Sequence, residues 1–181
     1  MASDPDMPFR LHTARLRLRP WTDKDFNLFR ALHAEPASMA DYGYVLNIEV
    51  AERKFQHYVE NFKQNKLSRW ILEDASGEFL GYTGLAAHIS DHPLGPHVDI
   101  GWRLMPQAWG YGYASEAAVC AIKDGFERLG LTQIYAYTAA DNLRSQAVMQ
   151  RLGLERREDL DFTKTYPRLG EWRGKVWVIT P

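Results

Sequence analysis

The chain has 181 residues, of which 45% are hydrophobic and 25% charged, and its formal net charge is −1. This composition is ordinary for a globular protein, and the length suffices for one domain with a substantial core. The balanced charge excludes the attraction to phosphate backbones that a strongly basic domain would have, so we predict no nucleic-acid partner. Cys120 is the single cysteine, which excludes an intrachain disulfide and favours a reducing, cytoplasmic location. No run approaches about 18 apolar residues, so no membrane association is predicted.

The periodicity of apolar residues predicts one domain over residues 9–181, preceded by a disordered leader over residues 1–8. Leucine and arginine alternate with period two over residues 15–19, which predicts a first strand. Further strands are predicted over residues 69–73, 79–88, 97–104, 134–138 and 175–179. Helices are predicted over about residues 22–33, 49–63, 113–129 and 142–152. This order predicts a mixed sheet with helices packed on it, an α/β or α+β sandwich.

Gly110 and Gly112 lie between a predicted strand and a predicted helix. Glycine allows close approach to the backbone, and the first-turn N–H groups of a helix favour an anion such as a diphosphate. An ordinary glycine-rich turn is the alternative, and two glycines alone favour it. A dinucleotide fingerprint is disfavoured because Ser115 replaces its third glycine and three consecutive strands precede the motif. A Walker phosphate loop is excluded because no Gly-Lys-Ser/Thr follows.

The wider sequence around these glycines resembles a known family. The segment QAWGYGYA (107–114), preceded by DIGWRL (99–104), resembles the coenzyme A signature of the GNAT superfamily of N-acyltransferases. The segments DNLRS (141–145) and RLGL (151–154) resemble its second conserved block. The opening TARLRLRP (13–20) is similar to the RimJ/RimL-like branch, which contains ribosomal-protein N-terminal acetyltransferases. The resemblance spans roughly residues 11–180.

The resemblance implies a mostly antiparallel sheet of about six to seven strands, splayed at the cofactor site, with about four helices on its two faces. It implies acetyl-CoA as the cofactor, with backbone contacts to pantetheine from one strand and a diphosphate at the glycine turn. The implied cofactor-binding residues are Arg103, Leu104, Met105, Gln107, Trp109, Gly110, Tyr111, Gly112, Tyr113, Ala114, Asn142 and Ser145. An alternative interpretation of Asn142 is a helix N-cap, a role that Asp141 could equally take.

The chemistry of acetyl transfer requires an amine, whose pKa is about 10, to lose a proton before it attacks a thioester. The resemblance implies Asp99 as the base, because several family members have a catalytic glutamate at this strand position. Strand alternation turns its side chain away from Val98 and Ile100, so Asp99 need not be buried; an ion pair with Arg103 is the alternative interpretation.

The resemblance also bears on a general acid. Many members have a tyrosine where this chain has Met149, so Ser145 is the best candidate for the acid. Its alternative interpretation is a first-turn hydroxyl bonded to the backbone.

Three histidines, His88, His92 and His97, cluster around one predicted turn. Their spacing does not match a zinc motif, so we predict no metal site and a structural or substrate-lining role.

The resemblance places the amine acceptor between the first two helices and the segment before the last strand. The aromatic residues of these regions are Phe26, Phe29, Tyr42, Tyr44, Phe162, Tyr166 and Trp172. Their acidic residues include Glu35, Asp41, Asp159, Asp161 and Glu171. Such acids could attract a cationic amine, although charged loop residues are usually solvated. The predicted function is acetyl transfer to a protein N-terminus or a small-molecule amine, by a monomer or homodimer. A catalytically weak acyl-CoA-binding module is the alternative.

Overall fold

The computed structural model describes residues 10–67, 69–89, 92–166, 168 and 170–181, so the predicted leader lies outside the described residues. Within these ranges the chain forms nine strands and four α-helices. The strands are β1 (Leu11–His12), β2 (Leu16–Arg19), β3 (Arg69–Asp74), β4 (Phe79–His88), β5 (His97–Leu104), β6 (Ile134–Ala139), β7 (Glu155–Arg156), β8 (Phe162–Tyr166) and β9 (Gly170–Ile179). The helices are α1 (Phe26–Ala34), α2 (Ile48–Asn65), α3 (Tyr113–Glu127) and α4 (Leu143–Arg151).

All strands belong to one sheet with the order β1-β2-β3-β4-β5-β6-β9-β7, and β8 also pairs with β9. The β5–β6 pair is parallel and the other pairs are antiparallel. The predicted mixed, mostly antiparallel sheet with four helices is therefore confirmed. The strand count exceeds the predicted six to seven because the two-residue strands β1 and β7, and the exposed strand β8, escape a periodicity search.

Local sequence explains the helix boundaries. Asn47 is the N-cap of α2, and its side chain accepts a hydrogen bond from the N–H of Val50 at 2.9 Å. The helix ends at Lys66, which has a left-handed φ of 58°. No helix in the described ranges combines the length and apolar character needed to cross a lipid bilayer.

The sheet separates two groups of apolar side chains. One group packs α1 and α2 on the sheet and includes Phe29, Phe55 and Tyr82. The other packs α3 and α4 on the opposite face and includes Ile100 and Ile122. Each fully buried side chain of this size stabilises the fold by roughly 1.5–3 kcal/mol.

This layering orients β5, because successive side chains of a strand point to opposite faces. Arg103 pairs across the ladder with Tyr82, so it shares the face covered by α1 and α2. Asp99, four residues earlier, lies on that same face. Ile100 lies on the face covered by α3 and α4.

Candidate active site

A gap opens in the sheet between its two parallel strands. Within the described residues, β5 and β6 pair at a single position, where Asp99 lies opposite Tyr135. Beyond it the strands separate, and a cavity of about 1300 Å³ lies between them. Residues 100–104 of β5 line one side of this cavity and residues 138–139 of β6 line the other. The splay that the family resemblance implied is therefore present.

Hydrogen bonding along β5 decides which backbone groups face the gap. The N–H of Met105 donates to the carbonyl of Leu80 on β4 at 2.9 Å. Bonded pairs alternate along an antiparallel ladder, so Arg103 and Met105 turn their backbone groups toward β4. Trp102 and Leu104 turn theirs toward the gap. The structure thus contradicts the predicted backbone contacts of Arg103 and Met105, and Trp102, which strand alternation could have found, takes their place.

One of the gap-facing groups is already bonded. The carbonyl of Leu104 accepts hydrogen bonds from Ser38 Oγ and from Trp109 Nε1, both at 3.0 Å. Among the described residues, the N–H of Leu104 and both backbone groups of Trp102 have no strand to pair with, so they remain for a ligand. Two donors and one acceptor along a strand edge match an extended chain that contains amides.

The first turn of α3 opens onto the same cavity. Gly110 and Gly112 precede it with φ values of 85° and 80°, which favour glycine. A Cβ added to Gly110 would meet no atom within 4 Å, so there is room beside the backbone. Among the described residues, none accepts a hydrogen bond from the backbone N–H of Gly112, Tyr113 or Ala114. Unbonded donors at the positive end of a helix dipole fit a diphosphate.

Ser115 adds a further polar group beside this helix mouth. Its side-chain oxygen is buried and has no partner in the described part of the chain, although the residue lines the cavity. A buried hydroxyl without a partner is unfavourable. A polar ligand group would satisfy it, so these residues fit coenzyme A.

Two predicted cofactor-binding residues, Gln107 and Tyr111, are exposed and do not line the cavity. The carbonyl of Tyr111 instead accepts a hydrogen bond from Arg15 Nη2 at 2.9 Å. Arg15 also forms a 2.7 Å salt bridge with Glu116, and the Thr13 hydroxyl donates to the same carboxylate. The opening motif therefore holds the first turn of α3 against the β1–β2 turn.

At α4, the N-cap interpretation of Asn142 is confirmed. Its Oδ1 accepts a hydrogen bond from the N–H of Ser145 at 3.2 Å, and Asn142 also borders the cavity. The Ser145 hydroxyl accepts a hydrogen bond from Trp102 Nε1 at 3.1 Å, which places it beside the gap. Met149 is only 2% exposed and packs in the core, and it also borders the cavity.

Two arginines of α4 line the cavity, and sequence reasoning did not select them. The guanidinium of Arg144 lies 4.6 Å from the ring centroid of Trp109, and Arg151 lies two turns further along. Residues seven apart share one helix face, so this spacing was the available signal. Both cations suit a phosphorylated ligand.

Asp99 is 5% exposed, which corrects the expectation that it need not be buried. Its Oδ1 lies 2.6 Å from Arg69 Nη2 and 3.2 Å from His88 Nε2. Burial opposes ionisation, but the Arg69 guanidinium and the hydrogen bond to His88 hold the pKa of the Asp99 carboxyl well below its usual range. A carboxylate with so low a pKa is a weak proton acceptor.

The expected ion pair between Asp99 and Arg103 does not form. Arg69 reaches Asp99 by crossing Gly101, where an added Cβ would lie 2.9 Å from Arg69 Nη1. Arg103 instead pairs with Asp41 at 2.8 Å. Because Gly101 has no side chain, Arg69 can pass over it and becomes the ion-pair partner of Asp99.

The cavity continues onto the face covered by α1 and α2, where we call it the acceptor lobe. The lobe is lined by Ser38, Asp41, Tyr42, Tyr44, Lys54, Tyr58, Arg69, Tyr82, Asp99, Arg103, Tyr166 and Trp172. Four of the predicted aromatic residues thus line it, whereas Phe26 and Phe29 pack in the core.

Most of the predicted acceptor-binding acids are bonded to arginines. The pairs are Asp41 with Arg103, Asp159 with Arg157, Asp161 with Arg156 and Glu171 with Arg173. Glu35 does not line the cavity. The lobe is therefore not the acidic pocket that these residues suggested.

The three histidines pack on each other outside the cavity lining. His88 stacks on His97 with centroids 4.8 Å apart, and His92 contacts Tyr137 and Phe162, each at 4.9 Å. In the described ranges, no group of three or more His, Cys, Asp or Glu side chains is arranged to hold a metal ion.

Comparisons with known proteins agree with this geometry. Residues 15–155 match the acetyltransferase (GNAT) domain family. The FsC-acetyl coenzyme A-N(2)-transacetylase of Aspergillus fumigatus is 31% identical over 174 residues, covering 92% of this chain and 73% of the relative. An acetyltransferase structure from Agrobacterium tumefaciens has a TM-score of 0.81 at 25% identity, covering 100% of this chain and 99% of the other. The RimL ribosomal L7/L12 alpha-N-protein acetyltransferase shares the fold, with a TM-score of 0.76 at 14% identity over 100% of this chain and 99% of the other.

Proposed function

Because the chain belongs to the GNAT family of acetyltransferases, we propose that it transfers an acetyl group from acetyl-CoA to the nitrogen of a primary amine. The observation that carries this proposal is the gap between β5 and β6. Its strand edge presents unbonded amide groups, and the unbonded first turn of α3 opens beside it. Acetyl-CoA supplies the activated acetyl thioester.

Each part of the gap holds a different part of the ligand. Trp102 and Leu104 hold the pantetheine amides through their backbone groups. The N–H groups at Gly112 to Ala114 hold the diphosphate, and Arg144 and Arg151 provide positive charge for the phosphates. The amine occupies the acceptor lobe on the other side of the sheet. Holding two reactants side by side supplies a large part of the rate gain in such reactions.

Two residues, Asp99 and Ser145, bear on how the amine loses its proton and how the departing sulfur gains one. Asp99 acts as a positioning residue, because its ionised carboxylate fixes Arg69 and His88. The amine proton therefore leaves through solvent in the lobe. The Ser145 hydroxyl is held by Trp102 through its oxygen, so its proton is available for the departing sulfur.

A second candidate function is an acyl-CoA-binding module with little turnover. Two observations favour it. Many family members have a tyrosine, a possible general acid, where this chain has the buried Met149. The low pKa of Asp99 makes its carboxylate a weak base. Both functions require acetyl-CoA to bind in the gap, and they differ only in whether thiol is released.

The deciding experiment measures thiol release from acetyl-CoA with a panel of primary amines, including amino acids, polyamines and peptides. We expect saturable, amine-dependent release. Tight binding of acetyl-CoA without release on any amine would support the binding module instead.

Gly112→Asp tests the cofactor site itself. The carboxylate would stand at the helix mouth, so we expect acetyl-CoA affinity to fall at least about 100-fold by calorimetry. Gly130→Asp is the control, because Gly130 also has a positive φ of 65° but no atom within 4 Å of an added Cβ and no part in the cavity. Equal affinities for Gly112→Asp and wild type would exclude the proposed diphosphate site.

A further inference from the structure

The acceptor lobe contains a lysine that has no carboxylate partner among the described residues. Lys54 extends from α2 into the cavity, with Nζ 5.2 Å from the ring centroid of Tyr42. The phenols of Tyr58 and Tyr82 and the guanidinium of Arg103 line the same lobe and also interact electrostatically with Lys54. In the described part of the chain, no carboxylate lies within salt-bridge distance of Nζ and no residue accepts a hydrogen bond from it.

The other charges of the lobe cancel in pairs. Arg69 is bonded to Asp99 at 2.6 Å, and Arg103 is bonded to Asp41 at 2.8 Å. His33, behind the lobe, is fully buried. Burial and the nearby Lys54 charge lower the pKa of His33 to about 3, so it carries no charge at neutral pH. The lobe therefore has an excess of one positive charge, located on Lys54.

An unpaired, half-buried cation is unfavourable, and proteins usually supply it with an anion. Among the described residues none provides that anion, while the Lys54 side chain borders the cavity that we propose for the acceptor. Arg168, 5.7 Å from the ring centroid of Tyr44, adds positive charge along the same wall. The lobe would therefore repel a polyamine and attract an anionic group.

Resting on the proposed function, we propose that the acceptor is a small primary amine that carries a carboxylate, an amino acid in the broad sense, and that Lys54 binds this carboxylate. The tyrosines around Lys54, together with Tyr166 and Trp172, provide the walls for the rest of the molecule. Lys54 is thereby a specificity-determining residue. The ammonium first loses one proton to solvent, and the neutral nitrogen then forms a C–N bond to the acetyl carbonyl as the thioester C–S bond breaks. The second proton that leaves the nitrogen balances the one that the sulfur gains as the thiol forms.

The test compares amino acids with their decarboxylated amines, for example tyrosine with tyramine and phenylalanine with phenethylamine, with spermidine as the cationic arm. We expect wild type to favour the carboxylate-bearing member of at least one pair by about 10- to 100-fold in kcat/KM, because a charge-assisted bond of this kind contributes that much. Lys54→Met should abolish the preference and Lys54→Arg should restore most of it. Lys63→Met, at an exposed position of the same helix, should keep the wild-type ratio.

A second measurement separates this inference from the proposed function. Binding of the same pairs is followed by calorimetry without acetyl-CoA in wild type and Lys54→Met. Carboxylate-dependent binding that disappears in Lys54→Met supports the Lys54 site even if no amine is acetylated. A wild-type enzyme that uses spermidine or the decarboxylated amines better than every amino acid overturns the inference and leaves acetyl transfer intact. A preference that survives in Lys54→Met also overturns it.

Discussion

Asp99 owes its ion pair with Arg69 to the absence of a side chain at Gly101. Gly84 and Gly101 lie opposite each other on β4 and β5, and Arg69 crosses the sheet over them to reach the carboxylate. Its guanidinium bonds both the carbonyl of Gly84 and the carboxylate of Asp99. A side chain at Gly101 would block this path, and the buried carboxylate would then lose its counter-ion. The position that other family members use for a base is here held ionised.

The replacement Asp99→Asn tests whether this carboxylate is the general base. Because Asp99 is already ionised at any pH suitable for assay, its titration cannot produce the rising limb of the pH–rate profile. We expect Asp99→Asn to lower kcat, to change acetyl-CoA affinity little, and to leave the midpoint of that limb unchanged. The measurement is kcat/KM from about pH 5 to about pH 9. Loss of the limb in the variant would make Asp99 the base after all.

Asp99→Asn should also lower the stability of the fold near neutral pH. A lowered folded-state pKa means that the ionised carboxylate stabilises the fold above its unfolded pKa, about 3.9, and that this stabilisation is lost as the pH falls further. Asp99→Asn leaves Arg69 buried without its partner, so we expect a loss of roughly 3 kcal/mol near neutral pH. The difference from wild type should shrink below about pH 4 in urea unfolding.

At the scale of elements, β5 combines two different edges. One edge is bonded to β4 along its whole length, whereas beyond Asp99 the other edge faces the cavity. The element that follows, α3, starts with unbonded amides at the same place. One strand and one helix therefore provide all the backbone donors of the proposed cofactor site.

Amide hydrogen exchange can measure this difference between the two edges of β5 at single residues. Without ligand, the amides of Trp102 and Leu104 should exchange faster than those of Arg103 and Met105, which are bonded to β4. Acetyl-CoA should slow Trp102 and Leu104 by about tenfold or more and change Arg103 and Met105 little. Slowing confined to Arg103 and Met105 would show that the alternation along β5 is assigned incorrectly. Gly112→Asp, which should not bind, provides the control.

At the scale of the molecule, the sheet keeps two apolar layers apart, and the layer under α1 and α2 contains a neutral histidine. His33 Nδ1 lies 2.9 Å from the carbonyl of Phe29, so that nitrogen carries the proton and Nε2 faces the Tyr82 hydroxyl. Burial lowers the pKa of His33 to about 3, whereas an unfolded chain binds the proton near pH 6.5. The unfolded state therefore gains protons first as the pH falls.

This difference predicts an acid-sensitive fold. Between about pH 7.5 and about pH 5, His33 should remove about 2 kcal/mol from the free energy of unfolding. His33→Gln keeps a donor for the Phe29 carbonyl but does not titrate, so its stability should depend less on pH by that amount. The measurement is urea unfolding at both pH values, with His57→Gln, at an exposed position of α2, as the control. Identical pH dependence in wild type and His33→Gln would contradict the prediction.

The sequence alone determined the order of the long elements, the glycine turn before α3 and the family. These features depend on residues close together in the chain. There the apolar residues recur with period two in strands and period 3.6 in helices, and the motifs of residues 99–114 and 141–154 can be read directly. Short strands such as β1, together with β8 and the first half of β9, depend on a partner strand and escaped detection. Tertiary structure alone decided which groups of β5 face the gap, that Asp99 pairs with Arg69, and that Asp41 pairs with Arg103 rather than with Lys54. The paired residues are 30 positions apart for Arg69 and Asp99 and 62 positions apart for Asp41 and Arg103. The strand register and the absence of a side chain at Gly101 determine which residues meet, and neither can be read from nearby residues in the chain.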